Sequence, residues 1–106
     1  MYDQYTIVLV NLDPTVGSEI NKTRPYVIIS PNEINHQLRN LTVAPMTTKS
    51  HPYPTRVKVQ HNRQNGWVVI DQLRTIDKQQ IIKTLGQLKP AEITTLKQVI
   101  KETYVD

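Results

Sequence analysis

Apolar residues along this chain come in short dense runs separated by polar, proline-bearing stretches, a pattern of strands rather than long helices. Thr6-Ile7-Val8-Leu9-Val10-Asn11-Leu12 is rich in β-branched residues and stops at Asp13-Pro14, which reads as a buried strand running into a turn. Residues 15–24 are polar, carry Gly17 and show no helical period, so they form a loop. Pro25 then opens a second strand, Tyr26 to Ser30, at a position where a sheet can spare a donor. Ile34 and Leu38, four apart in a polar stretch, allow one short helical turn. Leu41 to Ala44 is a third strand, expected to end at Pro45. Residues 47–55, with Pro52 and Pro54, form an exposed loop. Arg56-Val57-Lys58-Val59 alternates as a half-buried strand does, Asn65-Gly66 signals a turn, and Trp67 to Ile70 and Leu73 to Ile76 are two further strands.

From Asp77 onward the period changes. Ile81, Ile82 and Leu85 before Gly86 fit a helical turn plus a strand. Pro90 suits a first helical position and Glu92 puts a negative charge in the first turn. Ile93, Leu96, Val99, Ile100 and Tyr104 then fall on one helical face to the end of the chain. Several short strands followed by one amphipathic helix predict an α+β, mainly β domain spanning residues 1–106. Its core is a small barrel-like antiparallel sheet covered by the C-terminal helix.

Composition narrows the function classes. The chain has 106 residues, 38% of them hydrophobic, enough for a modest core that a partner subunit would help to stabilise. Cysteine is absent, which removes disulfides and thiolate metal sites. The polar start Met1-Tyr2-Asp3-Gln4-Tyr5 and the lack of a long apolar run predict a cytoplasmic protein with no membrane contact. Thirteen basic and nine acidic residues give a net charge of +4. The first half is neutral, so the surplus lies in residues 54–106, and a basic surplus attracts polyanions such as nucleic acid.

The motifs of common hydrolases, of phosphate-binding glycine loops and of dinucleotide sites are missing. His36, His51 and His61 lie scattered in polar segments and read as surface histidines, although histidine pairs can serve as acid and base. Two loops concentrate the remaining chemistry. The first holds Glu19, Lys22 and Arg24; the second holds Thr47, Thr48, Lys49 and Ser50. Each is consistent with ordinary solvated-loop or turn chemistry. Together they supply a permanent cation, a carboxylate and hydroxyls, which is what cleavage of a phosphodiester requires.

Three blocks carry a resemblance. Asn11 to Glu19 with Thr23-Arg24-Pro25, then Val43-Ala44-Pro45-Met46-Thr47-Thr48, then Val69-Ile70-Asp71-Gln72-Leu73-Arg74-Thr75-Ile76-Asp77 resemble, in order and spacing, the blocks of MazF/PemK toxins. The resemblance implies the same barrel-like fold with a C-terminal helix, shared with CcdB-type proteins and akin to SH3-like barrels. It also implies a homodimeric, sequence-selective endoribonuclease of a type II toxin–antitoxin system, bound by a cognate antitoxin and meeting DNA only through that complex. Such enzymes cut single-stranded RNA with no metal or other cofactor, using the substrate's 2′-hydroxyl. They leave a 2′,3′-cyclic phosphate and a 5′-hydroxyl.

By that resemblance Arg24 and Thr47 are catalytic, Glu19 is the proton acceptor, and Asp71, Thr48 and Lys49 take part in catalysis or RNA binding. Asp71 is read equally well as a structural acceptor near a turn. The loops bearing Ser18, Asn21, Lys22, Ser50, His51, Tyr53 and Arg56 would contact RNA. Two departures stand out: Tyr5-Thr6 replaces the family's usual Gly-Asp, and Ser18 replaces a histidine found in some branches. Two alternatives remain: a gyrase-poisoning CcdB-type binder, disfavoured by the Arg-Pro and Thr blocks, and an inactive relative kept for binding.

Overall fold

The computed structural model describes residues 2–12 and 23–105. In chain order the elements are β1 (Thr6–Asn11), β2 (Thr23–Ile28), a one-turn helix α1 (Asn32–Asn35), β3 (Asn40–Thr47), β4 (Arg56–His61) and β5 (Gln64–Val69). These are followed by β6 (Arg74–Asp77), β7 (Ile81–Gln87) and helix α2 (Pro90–Ile100). The described strands form one antiparallel sheet in the order β4-β5-β3-β2-β1-β7, with β6 paired to the same β3. The expected barrel-like sheet with a terminal helix is therefore what the chain builds.

The curl has a visible cause. β1 shifts register against β7 twice, between Ile7 and Val8 and between Leu9 and Val10, and such bulges bend and twist the strand that carries them. Bending buries both faces of the central strands. On one face Ile7, Val27, Ala44, Val57, Val68 and Ile70 pack with Leu88, Leu96 and Val99 of α2 and its approach. On the other, Val8, Val10, Tyr26, Ile28, Leu41, Val43 and Ile76 form a second cluster. Alternation along each strand feeds the two clusters in turn, which is why β1 reads as an unbroken apolar run.

Helix α2 begins as the sequence predicts. Pro90 stands at its start, and the Glu92 carboxylate accepts from the Lys89 backbone N–H and from the Gln60 N–H of β4, both at 2.8 Å. One side chain thus caps the helix and pins it to the sheet. The helical path continues as a wider turn to Val105, where the Tyr104 hydroxyl donates to the Ile70 carbonyl at 2.7 Å.

Three local expectations are corrected, while the expected helical turn at α1 is present. β2 spans Thr23–Ile28, so Pro25 stands third in the strand rather than opening it, and Arg24 belongs to the strand rather than to the loop. β3 does not stop at Pro45 but runs to Thr47. The proline falls between the stretch paired with β6, ending at Val43, and the stretch paired with β5, starting at Met46, where that edge changes partner. The hairpin turn is not Asn65-Gly66 but Asn62-Arg63, both with positive φ, closing a two-residue loop between His61 and Gln64. At α1 the apolar pair Ile34 and Leu38 faces water while Asn35 is fully buried. Its amide donates to the Ser30 carbonyl at 2.7 Å and its oxygen accepts from the Ser30 hydroxyl, so the buried polar group is satisfied.

Leu96 is wholly buried at the joint between α2 and the sheet. Leu96→Ala is expected to destabilise the protein by about 2–5 kcal/mol, read from urea unfolding. A change below about 1 kcal/mol, the range of volume-conserving swaps, would mean that the helix is not the lid of this core.

Candidate active site

β2 is buried at Tyr26–Ile28 and emerges toward water at Arg24, which is exposed. The strand is anchored on one side by β1, where Arg24 pairs with Val10, and on the other by β3, where Tyr26 pairs with Pro45 and Ile28 with Val43. Carrying that second register two residues further sets Arg24 opposite Thr47, on the same face of the sheet. Residues 23 residues apart in sequence thus share one edge of the fold. The 47 end of β3 is held from its other side by β5, through Thr47 paired with Trp67. Gly66, next to that pair, allows a close approach: a Cβ on it would come 3.2 Å from the Thr47 carbonyl oxygen, so a side chain there would need the strands to give by a few tenths of an ångström.

Past Thr47 the chain turns on its hydroxyl, which accepts from the Lys49 N–H and donates to the Lys49 carbonyl, both at 3.1 Å. Such a hydroxyl-closed turn fixes the start of the loop. Arg56 fixes its end. The guanidinium donates to the Ser50 hydroxyl at 3.1 Å, to the Thr55 hydroxyl at 2.9 Å and to the Asp71 carboxylate, and it lies 5.4 Å from the centre of the Tyr53 ring. Its side chain is only 14% exposed. His51 packs edge-on to Tyr53, and both stay exposed. The 50–55 loop is therefore strung on one arginine.

Burial alone would raise the Asp71 carboxyl, but hydrogen bonds from Thr55 and from its own backbone N–H, with the charge of Arg56, outweigh it and hold the group below its ordinary value of 3.8. A carboxylate held ionised and committed to an arginine is a weak proton acceptor. Of the two readings of Asp71, the geometry matches that of structural partner.

Three cavities meet at Arg24. One, of about 210 Å³, gathers Arg24, Thr47, Lys49, Ser50, Arg56 and Gln72. A second, of about 400 Å³, runs from Arg24, Thr47 and Thr48 to His61, Gln64 and Asn65. A third, of about 530 Å³, extends past Tyr26 and Leu73 to Arg74. The first holds three cations and two hydroxyls around a space suited to a phosphate. Of the residues singled out in the sequence, Arg24, Thr47, Thr48, Lys49, Ser50 and Arg56 do converge on these connected spaces. Asp71 and Tyr53 contact Arg56, and His51 packs on Tyr53. Ser18, Glu19, Asn21 and Lys22 lie outside the described residues. Among the described residues, no three histidine or acidic side chains come together.

The structure adds residues that the sequence did not single out for a site: Gln72 beside the cations, and Gln64 and Asn65 on the β4–β5 hairpin. His61, expected at the surface, is half-buried, and its ring Nε2 is buried. No local signal in the sequence marks them, since their placement depends on how the hairpin folds back onto β3.

Residues 3–104 match the model of the PemK-like, MazF-like toxins of type II toxin–antitoxin systems. The chain belongs to this family. The endoribonuclease toxin MazF of Escherichia coli strain K12 is 30% identical over 99 residues, covering 92% of this chain and 89% of its own. The structure of the Mycobacterium tuberculosis toxin MazF-mt6 superposes with a TM-score of 0.78 at 26% identity, over 94% of this chain and 96% of the other. A mycobacterial endoribonuclease solved with its cognate antitoxin gives a TM-score of 0.82 over 96% and 93% of the two chains; at 20% identity it speaks for the fold alone. Within this MazF-like frame, Arg24 and Thr47 lie toward the ends of two adjoining central strands, β2 and β3.

The Asp71–Arg56 pair makes a pH prediction. A carboxyl lowered on folding contributes stability that is present above its unfolded value and lost as pH falls through its folded one. Asp71→Asn is therefore expected to lower the melting temperature at pH 7, with the difference closing as the pH is taken well below 3.8. Calorimetry at the two extremes checks this. A difference that persists in acid would show that the carboxylate's charge is not what holds the loop.

Proposed function

We propose that this chain is the toxin of a type II toxin–antitoxin pair and cuts single-stranded RNA at selected sequences. Its scissile phosphate would rest between Arg24 and Thr47. The observation that carries the reading is the convergence of Arg24, Thr47 and Lys49 on one small cation-lined space that can admit a phosphate. The E. coli MazF and PemK relatives, both endoribonucleases by name, support it.

The chemistry follows from what the residues can supply. The 2′-oxygen of the RNA gives up its proton to Glu19, the acceptor assigned by the sequence blocks, and attacks phosphorus. The bond from phosphorus to the 5′-oxygen breaks, that oxygen takes a proton from water, and the products are a 2′,3′-cyclic phosphate and a 5′-hydroxyl. Negative charge accumulates on the non-bridging oxygens as the phosphorane forms. An arginine is a permanent cation whose planar fork holds two such oxygens at once, so Arg24 acts on the transition state more than on the ground state. The Thr47 hydroxyl, placed by its turn with Lys49, adds a donor to the same oxygens by swinging its one proton away from the Lys49 carbonyl. In this reading the side chains themselves supply the positive charge, and no metal is required. Asp71 serves by holding Arg56 and thereby the 50–55 loop.

Single-stranded RNA suits the site because its bases are free to splay outward while the 2′-hydroxyl stays available. The same reading makes the protein a cytoplasmic homodimer, restrained by a cognate antitoxin and meeting DNA only through that complex. No described helix is long and apolar enough to cross a membrane.

Purified protein is expected to cleave a long single-stranded RNA in EDTA, leaving 5′-hydroxyl ends. Arg24→Ala should slow cleavage by about a hundredfold to a thousandfold, the usual loss on removing one preorganised oxyanion donor. Absence of cleavage by the wild type, or equal rates for the variant, would overturn the catalytic reading. Thr47→Ser should keep most of the activity and Thr47→Val should lose it; equal activity in both would remove the hydroxyl from the mechanism.

A further inference from the structure

The 400 Å³ cavity on the hairpin side of Arg24 has no part in the phosphate chemistry above. Its floor is apolar, formed by Ile7, Met46 and Leu85, and its rim is polar, formed by His61, Gln64 and Asn65. That volume lies in the range of small-ligand sites, about 300–1,000 Å³. The rim is built rather than incidental. The two-residue turn at Asn62-Arg63 pairs Gln64 and Asn65 with His61 and Gln60 and sets them on the same cavity as Thr47, and Gly66 lets the strand approach the Thr47 carbonyl closely. His61 is seated by the lack of a side chain on Gly86, whose Cβ would come 2.7 Å from the ring carbon Cε1. Gly86 also holds a φ of +156°, which L side chains rarely adopt. The buried Nε2 of that ring has no hydrogen-bond partner among the described residues. A buried polar atom left unmatched costs stability, so a ligand that meets it is favoured.

We propose that this cavity takes one nucleobase of the RNA, immediately beside the phosphate held by Arg24 and Thr47, and that Gln64 and Asn65 read its edge while His61 Nε2 meets a further polar atom. The proposal rests on the RNA-cutting reading, because Arg24 and Thr47 line the cavity and the phosphate space alike. It adds a specificity subsite on a hairpin outside the three sequence blocks. An apolar floor suits a base's flat face, and carboxamides carry both a donor and an acceptor for its hydrogen-bonding edge. The cavity holds no described carboxylate to repel the strand.

The test measures binding of 2′-O-methyl oligonucleotides, which lack the attacking hydroxyl, by fluorescence anisotropy. Oligonucleotides differing in the base at each position around the preferred cut site are compared for the wild type, Gln64→Ala, Asn65→Ala and His61→Asn. If the wild type cuts no RNA, the oligonucleotides are varied across a random core instead. Gln64 and Asn65 are exposed on the hairpin, so their truncation leaves the fold intact, and thermal melts check His61→Asn. The wild type should discriminate among bases at one position by about tenfold, the scale of a good base-edge contact. Gln64→Ala and Asn65→Ala should flatten that one position and leave the others unchanged. Discrimination that survives both truncations would overturn the subsite, as would loss spread evenly over all positions, and the cavity would then fit a protein partner instead. Cleavage of unmodified RNA by the same samples separates the two readings. Position-specific binding without cleavage supports the subsite and sinks the ribonuclease. Cleavage with unchanged preference sinks the subsite alone.

Discussion

The antiparallel pairing of β2 with β3 is the constraint on which the site depends. Tyr26 opposite Pro45 and Ile28 opposite Val43 are buried pairs, and a slip of one residue would turn every side chain of β2 to the wrong face. Because the buried ends of the two strands cannot slip, their exposed ends cannot either, and Arg24 comes to stand across from Thr47. A charged group that needs water is held in place by apolar neighbours that need to avoid it. The arginine itself contributes little to this placement.

The rest of the fold protects that register. Bulges in β1 curl the sheet so that both faces of its central strands are buried, and α2 closes one of them, pinned to β4 by Glu92. β5 grips the far end of β3 through Gly66 and Trp67. The loop after Thr47 has little core of its own. It is organised by Arg56, whose charge is balanced by Asp71. The candidate site is thus assembled from a rigid half, set by strand register, and a looser half, set by one ion pair and a few hydroxyl contacts. That division fits a site in which the phosphate must be held firmly while the adjoining RNA is accommodated.

Much of this was legible in the sequence, for identifiable reasons. β1 and β2 are marked by dense apolar runs, α2 by its helical period and by Pro90 at its start, and Arg24 and Thr47 are marked by blocks that resemble the MazF/PemK family. What was not legible is long-range. Pro45 looks like a strand end until β3 is seen changing partners there. Asn65-Gly66 looks like a turn, yet the glycine serves a close approach between strands and the turn falls at Asn62-Arg63, a pair without glycine. His61 reads as a surface residue because nothing local reveals that Gly86, 25 residues later, makes room for its ring. Arg56 and Asp71 each read as possible RNA contacts, and only their mutual distance shows that they bind each other first.

Cleavage at this site depends on Arg24 and Thr47 jointly holding the scissile phosphate. A crystal structure of the full chain with a short RNA carrying a single 2′-deoxy substitution at the cut site shows whether they do. The phosphate at that site is expected to accept hydrogen bonds from the Arg24 guanidinium and the Thr47 hydroxyl. Density showing that phosphate elsewhere on the protein, with Arg24 and Thr47 touching no part of the strand, would contradict it.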